Sequence, residues 1–345
     1  MKDTLKLSDS TPTLEDVAKL AGVGRGTAGR ALSGQGYVSE QASARIHAAA
    51  EKLGYQRNEA ARSLKTKRSN AIGIVIPDIG GPFMIACVRG IQKVLRQHEY
   101  TSIIVFTDGK EETELEEIEY LIRHQIGGII IVPANSSAPH FHVPRLRNIP
   151  IVSFDQPILN EDYDALLVKN RHSARIAVDH LIGHGHKRIA CLGVNGHLYS
   201  IRKRMEGYKD AMGRAGLASM LEIVDPENGG IAGQLDRWLA LGAPPTAIFS
   251  LNELTSVELM QAFSMRRIRM PDRIAFIGFD EIQLGPYLDP PLTTVLQPGL
   301  EIGESAATRL LEQIESKNCH SVKHIELEAK LIIRGSCGCH PASSM

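Results

Sequence analysis

The chain reads as an α/β protein carrying a small all-helical head, and three observations predict it. Residues 13–53 hold three short amphipathic helix patterns, the first two separated by a tight glycine turn. From Ala71 onward, buried β-branched runs alternate with helix-length periodic segments. That alternation means a parallel sheet with helices on both faces. It runs to about Phe154 and restarts at Ser173, which implies two lobes with a cleft between them.

The head opens at Thr13, after a polar, aperiodic segment (1–12) that reads as a disordered tail. In Thr13-Leu-Glu-Asp16 the hydroxyl is placed to cap a helix, with a carboxylate at the third helical position. Leu14, Val17, Ala18 and Ala21 then share one face. Gly22-Val23-Gly24 breaks the helix, a second runs from about Arg25 to Leu32, and Ser39 caps a third. In the third, Ala42, Ile46, Ala49, Ala50 and Leu53 face inward and Gly54 closes it. Three such helices describe a helix-turn-helix domain over 13–57. Asn58 to Lys65 is one more helical pattern, within a linker over 58–69, and is too short to stand alone in water.

In the first lobe, strands are expected at Ile72–Ile76, Ser102–Phe106, Gly128–Val132 and Ile149–Phe154, with helices Ile85–Gln97 and Glu114–His124. In the second, helices Ser173–His184, Met205–Ala215, Ala232–Leu241 and Ser256–Met265 alternate with strands Arg188–Leu192, Glu222–Val224, Thr246–Ser250 and Ile274–Gly278. The first lobe takes about 70–155 and 296–325, the second about 170–292 and 328–340. Ligands in such sheets bind beyond the carboxyl ends of the strands, where Asp78, Asp155, Asn252 and Asp280 stand. Each is also an ordinary turn residue; together they suggest a polar cleft.

Lys plus Arg equals Asp plus Glu at 39 each, so net charge identifies no partner. Its distribution is more telling: residues 1–68 carry 12 basic and 7 acidic groups, a basic head on an acidic body. Neither a secretory signal nor an apolar stretch of bilayer length is present, which places the chain in the cytoplasm and off the membrane. Five cysteines make no complete disulfide framework. Cys87 and Cys191 read as core residues. Cys319, Cys337 and Cys339 gather near His320 and His340, but C-x-C is not the spacing of the usual zinc modules, and the expectation is no metal and no cofactor. Gly24 to Gly29 formally matches the dinucleotide fingerprint, yet follows a helix rather than the strand that the fingerprint needs. Without a P-loop, a G-x-S-x-G elbow or an H-E-x-x-H helix, Asp155 and Asp280 are better read as binding groups than as an enzyme's acid/base pair.

Thr13 to Val23, Thr27, Arg30, Val38-Ser39, Leu53-Gly-Tyr55 and Asn58 to Leu64 resemble the head of lactose-repressor (LacI-type) regulators. So do Ile72 to Asp78, Gly185 to Ile189, Arg204 through Tyr208, Ile277 to Asp280, Pro290 to Thr294 and Leu331 to Ser336 in the body, and the resemblance runs from about Thr13 to Ser336. It implies a periplasmic-binding-protein-like body and a homodimer on palindromic double-stranded operator DNA. The short tail after Arg334 lacks the heptads of a tetramer. Thr13, Arg25, Gly26, Thr27 and Arg30 occupy the family's DNA-contacting positions. Arg25 and Arg30 either read guanine or grip phosphate, whereas Gly26 has no side chain with which to read a base. Gly24, Gly26 and Gly29 replace longer or hydroxyl side chains, which softens the recognition helix. The resemblance makes Asn58 to Leu64 a hinge helix that orders on DNA, with Arg62 within it and Leu64 wedged into the minor groove; Arg57 replaces the frequent Pro before it.

The same resemblance implies a small-molecule effector, a sugar or a relative, held by Phe83, Asp155, Arg204, Asn252, Asp280 and Gln297. Carboxylates, amides and a guanidinium suit a polyol, and Phe83 offers an apolar face. Glu253 replaces the Asp that usually follows Asn252, and Trp238 reads as core. A periplasmic sugar receptor shares the two-lobed body but lacks the head, and a transcription repressor is the expectation.

Overall fold

The computed structural model describes residues 12–33, 36–55, 70–143, 146, 149–159, 161–225, 229–316 and 321–339. The tail, Arg57, Asn58, Arg62, Leu64, Cys319, His320 and His340 lie outside them. The chain divides into two compact units after Arg68.

The first unit contains α1 (Leu14–Ala21), α2 (Arg25–Ser33) and α3 (Glu40–Leu53). Thr13 caps α1 in a reciprocal box: its hydroxyl accepts from the Asp16 amide while the Asp16 carboxylate accepts from the Thr13 amide at 2.9 Å. Gly22 and Gly54 end α1 and α3 at φ 64° and 63°, a left-handed geometry that costs other residues a steric penalty. Val17, Ala18, Ala21, Ala28, Ile46, Ala49 and Ala50 form the core, leaving Arg25, Gly26 and Arg30 exposed along α2.

The second unit holds two six-stranded sheets. Strands β1 (Ala71–Ile76), β2 (Thr101–Phe106), β3 (Gly128–Ile131), β4 (Ile151–Phe154) and β5 (Asp164–Val168) are joined by β11 (His324–Leu327) in the order β11-β5-β4-β3-β1-β2. In the other sheet β6 (Ile189–Gly193), β7 (Met220–Ile223), β8 (Ala247–Ser250), β9 (Ala275–Phe279), β10 (Thr293–Leu296) and β12 (Lys330–Ile332) follow the order β12-β10-β9-β8-β6-β7. The two orders repeat one another, and all pairings are parallel except that of β12 with β10. The edge strand β12 therefore departs from the expected all-parallel sheet.

The intervening helices are α4 (Pro82–Gln97), α5 (Glu111–Arg123), α6 (Asn170–Gly183), α7 (Tyr199–Arg214), α8 (Gly230–Leu239), α9 (Glu253–Met265) and α10 (Gly299–Glu315). Most begin about one turn earlier than the apolar periodicity suggests, as α6 does at Asn170 rather than Ser173; α7 begins earlier still, at Tyr199 rather than Met205. The first turn needs caps for its amides rather than burial, so it carries no apolar signal. Trp238, Cys87 and Cys191 are core residues as expected.

The chain crosses between lobes three times, from β5 to α6, from β10 to α10, and from β11 to β12. One buried ionic cluster within the first lobe secures the entry to β11. Asp164, fully buried, accepts from Arg309, from Gln313 at 2.7 Å and from the Lys323 amide at 2.6 Å, just before β11. Burial would raise the pKa of this carboxyl, but those donors outweigh it and hold it below the ordinary value.

Helices α4 and α10 touch backbone to backbone. A Cβ on Gly303 would stand 2.0 Å from the Cys87 carbonyl oxygen, and one on Gly90 2.3 Å from that of Leu300. Gly303→Ala therefore has to push two packed helices apart and is expected to lower stability by about 1–3 kcal/mol or more. Gly213→Ala, on α7 where nothing lies within 4 Å of the added carbon, is expected to be neutral or stabilising. Paired thermal melts of the two variants check the contrast.

Candidate functional site

On the head, Arg25, Gly26 and Arg30 share the exposed side of α2, opposite buried Ala28, with Thr27 half-buried at its edge. The Arg30 guanidinium lies 3.4 Å from the Thr27 hydroxyl, and its methylenes cover Gly36. An added Cβ would meet nothing within 4 Å at Gly26, and only Leu14 at 3.6 Å at Gly29. Their absence of side chains is thus not imposed by packing within the head.

In the second unit the strand-end carboxylates occupy matching positions. Asp155 follows β4 and Asp280 follows β9, at φ 60° and 76°, a left-handed conformation rare outside glycine. Each donates its amide to the neighbouring strand at 3.0 Å, Asp155 to Leu166 and Asp280 to Val295. The two lobes therefore present the same sharp turn at the same sheet end, and backbone geometry aims both carboxylates.

Arg204 acts on both, electrostatically on Asp155 and by direct contact on Asp280. It is 3% exposed, donates to Asn170 Oδ1 at 2.8 Å and to the Leu251 carbonyl at 2.8 Å, and approaches Asp280 Oδ2 at 3.4 Å. Its guanidinium carbon stands 3.7 Å from the centre of the Phe279 ring. Gln297, in the β10–α10 crossover, donates to the other oxygen of Asp280. Gln297 Oε1 and Asn170 Nδ2 are buried without a hydrogen-bond partner. Phe83, in the first turn of α4, lies against Gly299 two residues further along that crossover. Asn252 caps α9, its side chain accepting from the Thr255 amide at 3.0 Å and from the Thr255 hydroxyl at 2.6 Å. Of the expected residues, Arg204, Asp280 and Gln297 are linked directly. Asp155 joins them electrostatically, and Asn252 neighbours them through Leu251.

Three further residues belong to this cluster, of which only Glu253 was singled out by the sequence, as the replacement for the Asp that usually follows Asn252. Asn170 orients Arg204. Gln156, next to Asp155, reaches across the lobes: it donates to Ser200 Oγ at 2.7 Å and accepts from the Ser200 amide at 3.3 Å, in the first turn of α7. Glu253 leans from the second lobe onto Gly81 of the first, where an added Cβ would stand 2.5 Å from Oε2. Nothing in local sequence distinguishes Asn170 or Gln156 from ordinary polar residues. Two cavities of about 440 Å3 are also present, one lined by Lys110, Asn135, His197 and Arg202, the other by Asn170, the partner of Arg204, with Arg171, Tyr199 and Glu326. Of the expected effector residues neither contains any.

Burial raises the Asp155 pKa, and Asp280 adds to the shift against the opposing pull of Arg204 and Gln156. Burial, with Asp280 and Asp78 as like-charged neighbours, lifts Glu253 from its ordinary 4.5 to about 7.

Residues 13–58 match the model of bacterial regulatory proteins of the lacI family, and residues 178–337 match a periplasmic binding protein-like domain. The ribose operon repressor of Escherichia coli strain K12 is 31% identical over 328 residues, covering 94% of this chain and 99% of that protein. The chain belongs to the LacI family. A ribose operon repressor from Halalkalibacterium halodurans is 33% identical over 324 residues, covering 93% of this chain and 96% of its own length. The solved Lac repressor dimer bound to operator and the anti-inducer ONPF superposes with a TM-score of 0.83 at 22% identity, covering 95% of this chain and 99% of that one, and so shares the fold. As a LacI-family member this chain is a DNA-binding transcription regulator controlled by a small-molecule effector, and not an enzyme. Among the described residues, no helix is long and apolar enough to cross a membrane.

Two outcomes are expected. Gly26→Ala and Gly29→Ala each stabilise α2 by up to about 1 kcal/mol, read as a higher melting temperature of the head. For Glu253, the folded state holds a proton between pH 4.5 and about 7 that the unfolded chain has released, so its contribution to stability falls as pH rises through that window and is lost above it. Glu253→Gln keeps the neutral form; its melting temperature should match the wild type near pH 4.5 and exceed it at pH 8.

Proposed function

We propose that this regulator is a repressor that binds a palindromic operator as a homodimer, and that its cleft takes a sugar or a closely related polyol. The observation that carries the effector reading is the Arg204–Asp280–Gln297 cluster, with an unpartnered buried acceptor on Gln297 and an unpartnered buried donor on Asn170. A ligand rich in hydroxyls, each both donor and acceptor, completes such a set. An apolar ligand leaves it unsatisfied, at a cost of about 1–3 kcal/mol per group. Two relatives named ribose operon repressors make ribose the first candidate. Phe83, Asp155 and Asn252 complete the set.

On the DNA side, one α2 presents few side chains to one half-site, so operator specificity calls for two heads spaced by about 34–36 Å or a multiple of it. In this reading Arg25 and Arg30 meet guanine or phosphate, Thr13 and Thr27 meet phosphate, and Asn58, Arg62 and Leu64 belong to a hinge ordered on DNA. The protein works where its operator is, in the cytoplasm. Because Gln156–Ser200 and Gly81–Glu253 bridge the lobes beside the cluster, ligand changes the lobe angle and with it the spacing of the two hinges. Coupling of about 1–3 kcal/mol between effector and operator is typical of such regulators, and it is reciprocal.

Calorimetric titration of the full chain with ribose, other pentoses, hexoses and sugar acids tests the effector reading. One of them is expected to bind at one site per chain, with Asp280→Asn weakening it by about tenfold to a hundredfold. Absence of any polyol binding, or an unchanged affinity in Asp280→Asn, removes the cleft assignment. For the repressor reading, Arg25→Ala is expected to weaken binding to the palindromic operator and to relax preference at one base pair, measured by electrophoretic mobility shift.

A further inference from the structure

We propose that His180, His184, Cys337 and Cys339 form a tetrahedral Zn2+ site on the outer side of the second lobe. Its residues come from two segments far apart in sequence. His180 lies in the last turn of α6 and His184 caps it, so the four-residue spacing stacks both rings on one face; their centroids are 4.7 Å apart. The C-terminal turn supplies the sulfurs. Gly338, at φ 92°, reverses the chain between the two cysteines, a conformation that side-chain-bearing residues rarely adopt.

The donor atoms converge. Cys339 Sγ lies 3.0 Å from His184 Nε2 and 3.4 Å from His180 Nε2, and Cys337 Sγ lies 3.4 Å from the same His180 nitrogen. The ligand atoms of His180, His184 and Cys339 all fall within 4.8 Å of one another. In a tetrahedron with arms of about 2.0–2.3 Å, neighbouring donors stand about 3.5 Å apart. The observed contacts are already close to that spacing. Two thiolate sulfurs and two imidazole nitrogens in tetrahedral array favour Zn2+ over hard, oxygen-seeking cations.

A supporting shell is also in place. The Thr293 hydroxyl accepts from the Arg334 amide at 2.9 Å and donates to Cys337 Sγ at 3.2 Å, which fixes the position of that sulfur. Cys337 is buried, whereas His184 is exposed, so the site is anchored inside and open to solvent on one side. Spacing along the chain gave no hint of this: C-x-C alone resembles no zinc module, and the sequence pointed to His320 and His340 as neighbours. His184 is 155 residues from Cys339. Folding, not sequence proximity, supplies the histidines. An ion here staples the segment after β12 to α6, whose first residue, Asn170, orients Arg204.

The full-length protein, purified without chelator, is expected to retain one Zn2+ per chain. Replacement with Co2+ should give the thiolate-to-cobalt charge-transfer and ligand-field bands of a tetrahedral site. His184→Ala and Cys339→Ser, both at accessible positions, should weaken Zn2+ binding by more than about a hundredfold, beyond what loss of one supporting hydrogen bond does. Cys319→Ser should leave it unchanged, and circular dichroism and operator binding confirm that each variant is folded. The assignment is overturned if no cobalt–thiolate band forms, or if the band persists in a folded Cys337→Ser/Cys339→Ser double variant. Neither readout depends on which effector the cleft binds.

Discussion

A buried guanidinium organises the second unit. Arg204 is almost wholly removed from water, and an uncompensated charge in that position costs several kcal/mol. Its compensation comes from four groups at once: Asn170 at the start of α6, the Leu251 carbonyl after β8, the ring of Phe279 on β9, and Asp280 just beyond it. Asp280 in turn takes Gln297 from the crossover that leads back to the first lobe. Satisfying one charge therefore fixes the ends of two strands, two helices and a hinge strand relative to one another. The cleft is polar because the guanidinium requires partners, and partners that bind a guanidinium also bind hydroxyls.

The repeated architecture explains why this chemistry falls between the lobes. Both sheets follow the same strand order, and both turn sharply after an equivalent strand through a left-handed aspartate. The two carboxylates thus arise from one structural device used twice. Three chain crossings join the lobes, and Gln297 sits in one of them. The bond between Gln297 and Asp280 therefore ties a strand end of the second lobe to one of the crossings between the lobes.

Much of the fold was legible because its signals are local. The capping box at Thr13, the glycine stops at Gly22 and Gly54, and the β-branched run at Ile72 to Ile76 each specify their element by short-range chemistry. Helix starts were less legible, since polar first turns such as Tyr199 to Lys203 carry no periodic apolar signal. The expected site was partly spent on structure: Asn252 is occupied in capping α9, while Gln156 and Asn170, which no motif marks, hold the cluster together. The contact between Gly90 and Gly303 was invisible too, because nothing in either helix announces which partner it touches.

By itself, the sequence determined the order of elements, the three-helix head with its basic excess, the doubled α/β body, and the family to which both belong. The elements, the head and the body follow from periodicity, capping and charge, all of which act over a few residues or sum along the chain; the family follows from the resemblance of its motifs. Only the tertiary structure decided that Arg204, Asp280, Gln297 and Asn170 share one buried site, and that His180 and His184 meet Cys337 and Cys339. Such meetings depend on strand order, helix crossings and the sharp turns between them. They bring together residues up to 159 positions apart, for which no local spacing rule exists.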